Sequence, residues 1–255
     1  MTLNLNSILS ISFLLGLLLG SFYNVVGLRV PKGESIVAPR SHCPHCKRTL
    51  TALELIPVVS YLLQKGKCRA CSARISFVYP LIELSTAILF TLAPLFVGWS
   101  AEVAVSWTLI SLFVIIFVSD VHYMVIPNRV LLFFTPLLLV ERLWIAPLTP
   151  WWDSLLGSVV GFMILFVIAV VSKGGMGGGD IKLFALIGLA LGAKLTVLAF
   201  FLSTLVGTIF GLIGMALGRV KRGEPMPFGP AIVAGTLIAY FFGETIIDFY
   251  VKVIM

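Results

Sequence analysis

Charge is scarce in this sequence: Asp, Glu, Lys and Arg make up 11% of its 255 residues, against about 25% in an ordinary soluble domain. Hydrophobic residues reach 59%, with a mean hydropathy of +1.09, where soluble domains hold about 45–50%. That balance excludes a water-soluble globular fold. No Lys or Arg precedes Arg29, so the first apolar run, Ser7 to Leu28, lacks the basic start of a secretory signal and reads as a retained span. Cysteine occurs only between residues 43 and 71, which confines any thiol chemistry to one short stretch. Neither GxGxxG nor GxxxxGK[ST] can be laid on residues 174–182, so the glycines there do not read as a phosphate cradle. No internal repeat is evident, and the glycine run is the only low-complexity tract.

Apolar runs of about 20 residues, each long enough to cross a bilayer as a helix, dominate what is there. The sequence predicts an all-α polytopic membrane protein. Its net charge of +7 is a topology signal, because basic residues favour the cytoplasmic side. Lys and Arg cluster in residues 29–74, at Arg129, at Lys173 with Lys182, and at Arg219, Lys221 and Arg222. All four clusters are expected in the cytosol, and none needs a nucleic-acid partner. Eight spans with both termini outside satisfy this: 7–27, 77–97, 103–119, 130–147, 154–172, 182–192, 195–217 and 229–251. The sixth has only about 11 residues and is too short to cross as a straight helix. It is expected to be a half-helix sheltered by its neighbours.

The expected organisation is a first span at 1–28, a cytosolic cysteine-rich insertion at 29–76, and a membrane domain at 77–255. The insertion carries "CPHC" (Cys43, Cys46) and "CRAC" (Cys68, Cys71). Two CxxC knuckles at this spacing resemble a zinc ribbon, in which four thiolates close a tetrahedral site. Two disulfides are the alternative, but a cytosolic segment keeps its thiols reduced, and 48 residues hold too little core without a metal. His42 and His45 adjoin the first knuckle and could replace a cysteine, although solvent exposure is their plainer reading. Glu54 and Glu83 are further acidic candidates, beside "LIP" and at the start of the second span.

Asp120 and Asp180 are the only aspartates in the segments assigned to the cytosol, and the charge-derived topology brings them to one depth on one side. Acids beside membrane spans are costly and are functional candidates. Two carboxylates close together share a proton, so one can activate water while the other protonates a peptide carbonyl. The glycines before Asp180 would let a substrate backbone approach and would permit φ > 0. The plainer alternatives are that Asp120 pairs with Arg129 or Lys182, and that either aspartate caps a helix. Asp153, Glu102, Glu141, Glu244 and Asp248 read as solvated ends.

At this point the chain resembles the bacterial type IV prepilin peptidases, bifunctional leader peptidase/N-methyltransferases. The matching segments are "GSFYNVVGLRVP" (20–31), the two knuckles, "IPVVSYLLQKGKC" (56–68), "YPLIEL" (79–84), "SDVHYMVIPN" (119–128), "GMGGGDIKL" (175–183) and "PFGPAIVAGT" (227–236). The resemblance implies a GxGD-type aspartyl peptidase with Asp120 and Asp180 as the catalytic pair. Gly177, Gly178 and Gly179 would form the loop presenting Asp180, with Lys182 just behind. Cys43, Cys46, Cys68 and Cys71 match the family's cysteine tetrad. The implied substrates are prepilins or pseudopilins of pilus assembly and type II secretion, with a basic leader, a glycine before the cut, usually a phenylalanine after it, and an apolar helix beyond. The implied methyl donor is S-adenosylmethionine, and the implied location is the bacterial inner membrane. The insertion favours the bifunctional members, although it could equally dock leaders. Readings from other classes are a small transporter, which wants acids deep in its spans and a repeat, and a zinc-stabilised scaffold, which needs neither aspartate.

Overall fold

Asn4 accepts a hydrogen bond from the Ser7 amide at 2.8 Å and so caps the first helix, Leu5–Arg29 (α1). The structure is a computed structural model that describes residues 4–173, 175–218 and 226–254. About three quarters of the chain there is helical: α1 is followed by α2 (Val59–Leu63), α3 (Val78–Val97), α4 (Glu102–Tyr123), α5 (Asn128–Val140), α6 (Asp153–Val171), α7 (Gly178–Leu191), α8 (Ala193–Ala216) and α9 (Gly229–Ile254). Six of these, α1, α3, α4, α6, α8 and α9, are long and apolar enough to cross a membrane. The chain is a multi-pass membrane protein. The other two expected spans fall on shorter helices: α5, continued directly by a π turn at Glu141–Ile145, and α7. The expected basic trio Arg219, Lys221 and Arg222 lies outside the described residues.

The chain divides into two compact units, residues 1–118 and 119–255. In the first, α1 lies along α3. Gly20 allows the approach, because a Cβ there would stand 3.0 Å from Thr86 and from the backbone of Glu83. The hydroxyls of Tyr23 and Ser111 share a hydrogen bond at 2.6 Å. The insertion between α1 and α3 is built from two hairpin knuckles and the short α2.

The second unit contains the last turn of α4 and helices α5 to α9. Its helix α7 has 14 residues, a rise of about 21 Å that is short of the roughly 30 Å of hydrocarbon. Leu183, Phe184 and every residue from Leu186 to Leu191 are buried, so neighbouring helices shelter this short element as expected. Helix α6 crosses α7 where Gly157 and Gly161 face Gly188 and Phe184, and the absence of side chains lets the two backbones meet. The C-terminal end of α7 is held by Arg142, whose Nε donates to the Ala190 carbonyl at 2.7 Å. Glu141 and Arg142 are buried, at 8% and 1% exposure. The expectation that Glu141 is a solvated end is therefore wrong: the π turn rotates both residues inward. Glu244 and Asp248 are exposed as expected, and Glu244 pairs with Lys194 at 2.6 Å.

Candidate active site and metal centre

Asp120 lies one turn before the end of α4, where the helix stops as Met124 adopts φ 52. Ser119 Oγ donates to the Val125 carbonyl and folds the chain back toward α5. This turn delivers Ile126 against α7: a Cβ on Gly179 would stand 2.8 Å from the Ile126 Cβ. Two residues on, Asn128 Oδ1 accepts from Lys182 Nζ at 2.9 Å. The end of α4 and the start of α7 are thus locked together, and the carboxylates of Asp120 and Asp180 lie near enough for their charges to interact.

Each carboxylate lies at the start of a helix, that of Asp120 at α9 and that of Asp180 at α7. The Gly229 amide, in the first turn of α9, donates to Asp120 Oδ2 at 2.7 Å. Asp180 is the third residue of α7, next to the N-cap Gly177, whose carbonyl accepts the Asp180 amide at 3.1 Å. Helix N-termini favour negative charge. Both glycines are needed for the fit, since a Cβ on Gly229 would lie 2.7 Å from Asp120 Oδ2 and one on Gly177 would lie 2.8 Å from Asp180 Oδ2. Asp120 is buried at 6% exposure and Asp180 is half-buried.

The capping role considered for Asp120 is therefore real, at the start of α9, and it is compatible with a carboxylate pair. Asp120 pairs with neither Arg129 nor Lys182; its partner is Gly229, 109 residues away. Sequence reasoning gave Gly229 no role, although "PFGP" already stood among the matching motifs. The glycine run also works differently from expectation. None of its described glycines adopts positive φ, and the left-handed residue is Lys173 at φ 51. What the glycines provide is close approach: Gly177 and Gly179 admit Asp180 and Ile126, and nothing lies within 4 Å of a Cβ on Gly178.

The first unit holds the second centre. Cys43, Cys46, Cys68 and Cys71 are free thiols whose sulfurs all lie within 4.8 Å of one another. Cys43 Sγ is 3.8 Å from Cys71 Sγ, and Cys46 Sγ is 4.0 Å from Cys68 Sγ. A tetrahedral tetrathiolate with bonds of about 2.3 Å separates its sulfurs by about 3.8 Å, so the four residues are placed to bind a metal ion. Neither His42 nor His45 belongs to the group.

The two knuckles are the same structure repeated 25 residues apart, a local repeat that the sequence reading missed. Cys43 N–H donates to the Arg48 carbonyl at 3.0 Å, and Cys68 N–H donates to the Ala73 carbonyl at 2.9 Å. Bridges His42–Thr49 and Lys67–Arg74 close the two hairpins, with Lys47 and Ser72 at φ 59 and 57. Amides of Cys71 and Ala70 point at Cys68 and bring its thiol down to about 6. Those of Cys46 and His45 lower Cys43 likewise, which favours the thiolates a metal needs. Glu54 supports the first knuckle. It accepts from the Thr51 amide at 3.0 Å and the Thr51 hydroxyl at 2.9 Å, and it pairs with Arg48. The Thr51 amide first and Arg48 second hold its carboxyl down at about 2.

Two family models match the chain, the bacterial peptidase A24 N-terminal domain over residues 14–97 and the type IV leader peptidase family over residues 107–212. A prepilin leader peptidase/N-methyltransferase of Bacillus subtilis is 52% identical over 244 residues, covering 96% of this chain and 98% of the relative. Proteins of the same description from Aeromonas salmonicida and Pseudomonas aeruginosa are 34% and 32% identical, covering 96% and 94% of this chain and 94% and 92% of theirs. No solved structure matches the chain.

Proposed function

Since the chain belongs to the type IV leader peptidase family, we propose that it cleaves the basic leader from type IV prepilins or pseudopilins and then N-methylates the amino terminus so exposed. Asp120 and Asp180 are the catalytic pair in this reading. The observation that carries it is the arrangement of two neighbouring carboxylates at helix starts, with Asp120 held by the Gly229 amide and Asp180 packed against Gly177. One member of the pair takes a proton from water, and the other, holding the shared proton, hydrogen-bonds the scissile carbonyl. Water adds to the carbonyl carbon. The carbon–nitrogen bond then breaks, and a proton passes to the leaving amine. Open space over Gly178 suits a substrate glycine before the cut, which has no side chain to clash with the loop. Lys182, tied to Asn128, steadies that loop.

The metal at the four cysteines is zinc in this reading, with a structural role: it holds two hairpins that have little core of their own. Methyl transfer belongs to the insertion at 29–76 and uses S-adenosylmethionine. Cleavage belongs to the 77–255 portion, within which the compact unit from Ser119 carries both aspartates. The basic loops, the insertion and the aspartates face the cytosol of a bacterial inner membrane, and partners beyond the substrates come from pilus or secretion assembly. The test is to incubate the purified protein in lipid with a model prepilin and S-adenosylmethionine and weigh the product. A product cut after glycine and one methyl heavier supports both activities. An uncut prepilin contradicts the reading.

A further inference from the structure

An amino terminus and a methylsulfonium both carry positive charge, so the place where they meet needs uncompensated negative charge shielded from bulk water. We propose that a cavity in the first unit, of about 260 Å³, is the methyl-transfer site, and that Glu83 binds the substrate amine there. This proposal rests on the methyl-transfer reading above.

The cavity lies among the C-terminal part of α1, the first knuckle, the segment around α2 and the start of α3. Its volume is near the lower end of small-molecule sites, about 300–1,000 Å³. Two buried carboxylates line it, Glu54 at 7% and Glu83 at 8% exposure. They differ in their partners. Glu54 is neutralised by Arg48. Glu83 receives a neutral donor, the Val58 amide at 2.8 Å, and among the described residues no cation pairs with it. A carboxylate enclosed without a counter-ion is costly, and a cationic ligand removes that cost.

A second observation points the same way. Val58, which supplies that amide, has φ 61 and ψ −51. A β-branched residue at positive φ is a genuine outlier, and such strain gathers at ligand sites. Here it aims one N–H at Glu83. Tyr61 and Tyr79 also line the cavity, and aromatic rings attract cations such as a sulfonium.

The chemistry balances with the donor as the only co-reactant. The substrate ammonium, held by Glu83, loses a proton to solvent. The amine lone pair attacks the methyl carbon, and the carbon–sulfur bond breaks with its electron pair remaining on sulfur. A neutral thioether leaves. The N-methylammonium retains the positive charge, with Glu83 as its counter-ion until release.

The test uses the full chain in lipid, S-adenosylmethionine, and a peptide that begins at the residue after the cut, so that methylation is read without cleavage. Glu83→Gln is expected to raise KM for the peptide and to lower kcat/KM for methylation at least a hundredfold. Glu83→Asp, which keeps the charge, restores part of it. Gln64→Trp, which fills the cavity from its wall, is expected to abolish methylation while the four cysteines stay as protected from thiol reagents as in the wild type. Wild-type methylation rates in both Glu83→Gln and Gln64→Trp overturn the cavity assignment alone. A wild-type protein that methylates neither peptide nor cleaved prepilin removes the methyl-transfer reading, and this proposal with it.

Discussion

The amide of Gly229 donates a 2.7 Å hydrogen bond to Oδ2 of Asp120, joining the start of α9 to the end of α4 across 109 residues of sequence. At the start of α7, a Cβ on Gly177 would stand 2.8 Å from Asp180 Oδ2, so that glycine leaves room for the second carboxylate. The Asp120 carboxylate is thus aimed by backbone, which cannot rotate away as a side-chain partner can.

Adding one methyl group at Gly229 tests that arrangement. In Gly229→Ala the new Cβ would stand 2.7 Å from Asp120 Oδ2 and 2.9 Å from its Cβ, so the aspartate must shift. Overpacking of this kind costs about 1–3 kcal/mol, and displacing a catalytic group by about 1 Å costs about 10²-fold in rate. The expected outcome is a kcat for prepilin cleavage lowered by about that factor in a protein that still folds. An unchanged kcat contradicts it.

Glu54 makes the insertion sensitive to acid. Its carboxyl is lowered from 4.5 to about 2 by the Thr51 amide and Arg48. It therefore stabilises the folded insertion fully above about pH 4.5, and the contribution is lost as pH falls toward 2. Thermal unfolding of wild type and Glu54→Gln should differ most above pH 5 and converge near pH 2. A difference independent of pH would rule out this role.

The cysteine cluster predicts one bound zinc per chain. Cys68→Ser removes a buried ligand and should reduce the metal content well below one equivalent and expose the other three thiols to modification. Full zinc occupancy in that variant, measured by elemental analysis, would show that the four sulfurs do not act as one site.

Much of this was legible because membrane spans and metal knuckles are written in local patterns. Apolar runs located α1, α3, α4, α6, α8 and α9, and the CxxC spacing located the tetrad. The shortness of α7 was legible as well, since glycine bounds it at both ends. Family membership then separates the peptidase from the transporter and scaffold readings. What sequence did not disclose depends on contacts between distant segments. Gly229 had no assigned role until α9 brought it to Asp120. Glu141 read as a solvated end, but the π turn buries it together with Arg142, which bonds the end of α7. The glycine run suggested positive φ, where the structure instead uses the missing side chains for close approach.

The central claim is that Asp120 and Asp180 act as a pair, and single-turnover cleavage of a model prepilin by Asp120→Asn and Asp180→Asn tests it most directly. Asparagine preserves the shape but cannot share or transfer the proton. Each variant alone should cleave slower than wild type by about 10²–10⁴-fold, while still folding and retaining its metal. The double variant should be little worse than either single. Near-wild-type cleavage by either asparagine variant would reduce that aspartate to a helix cap and contradict the account.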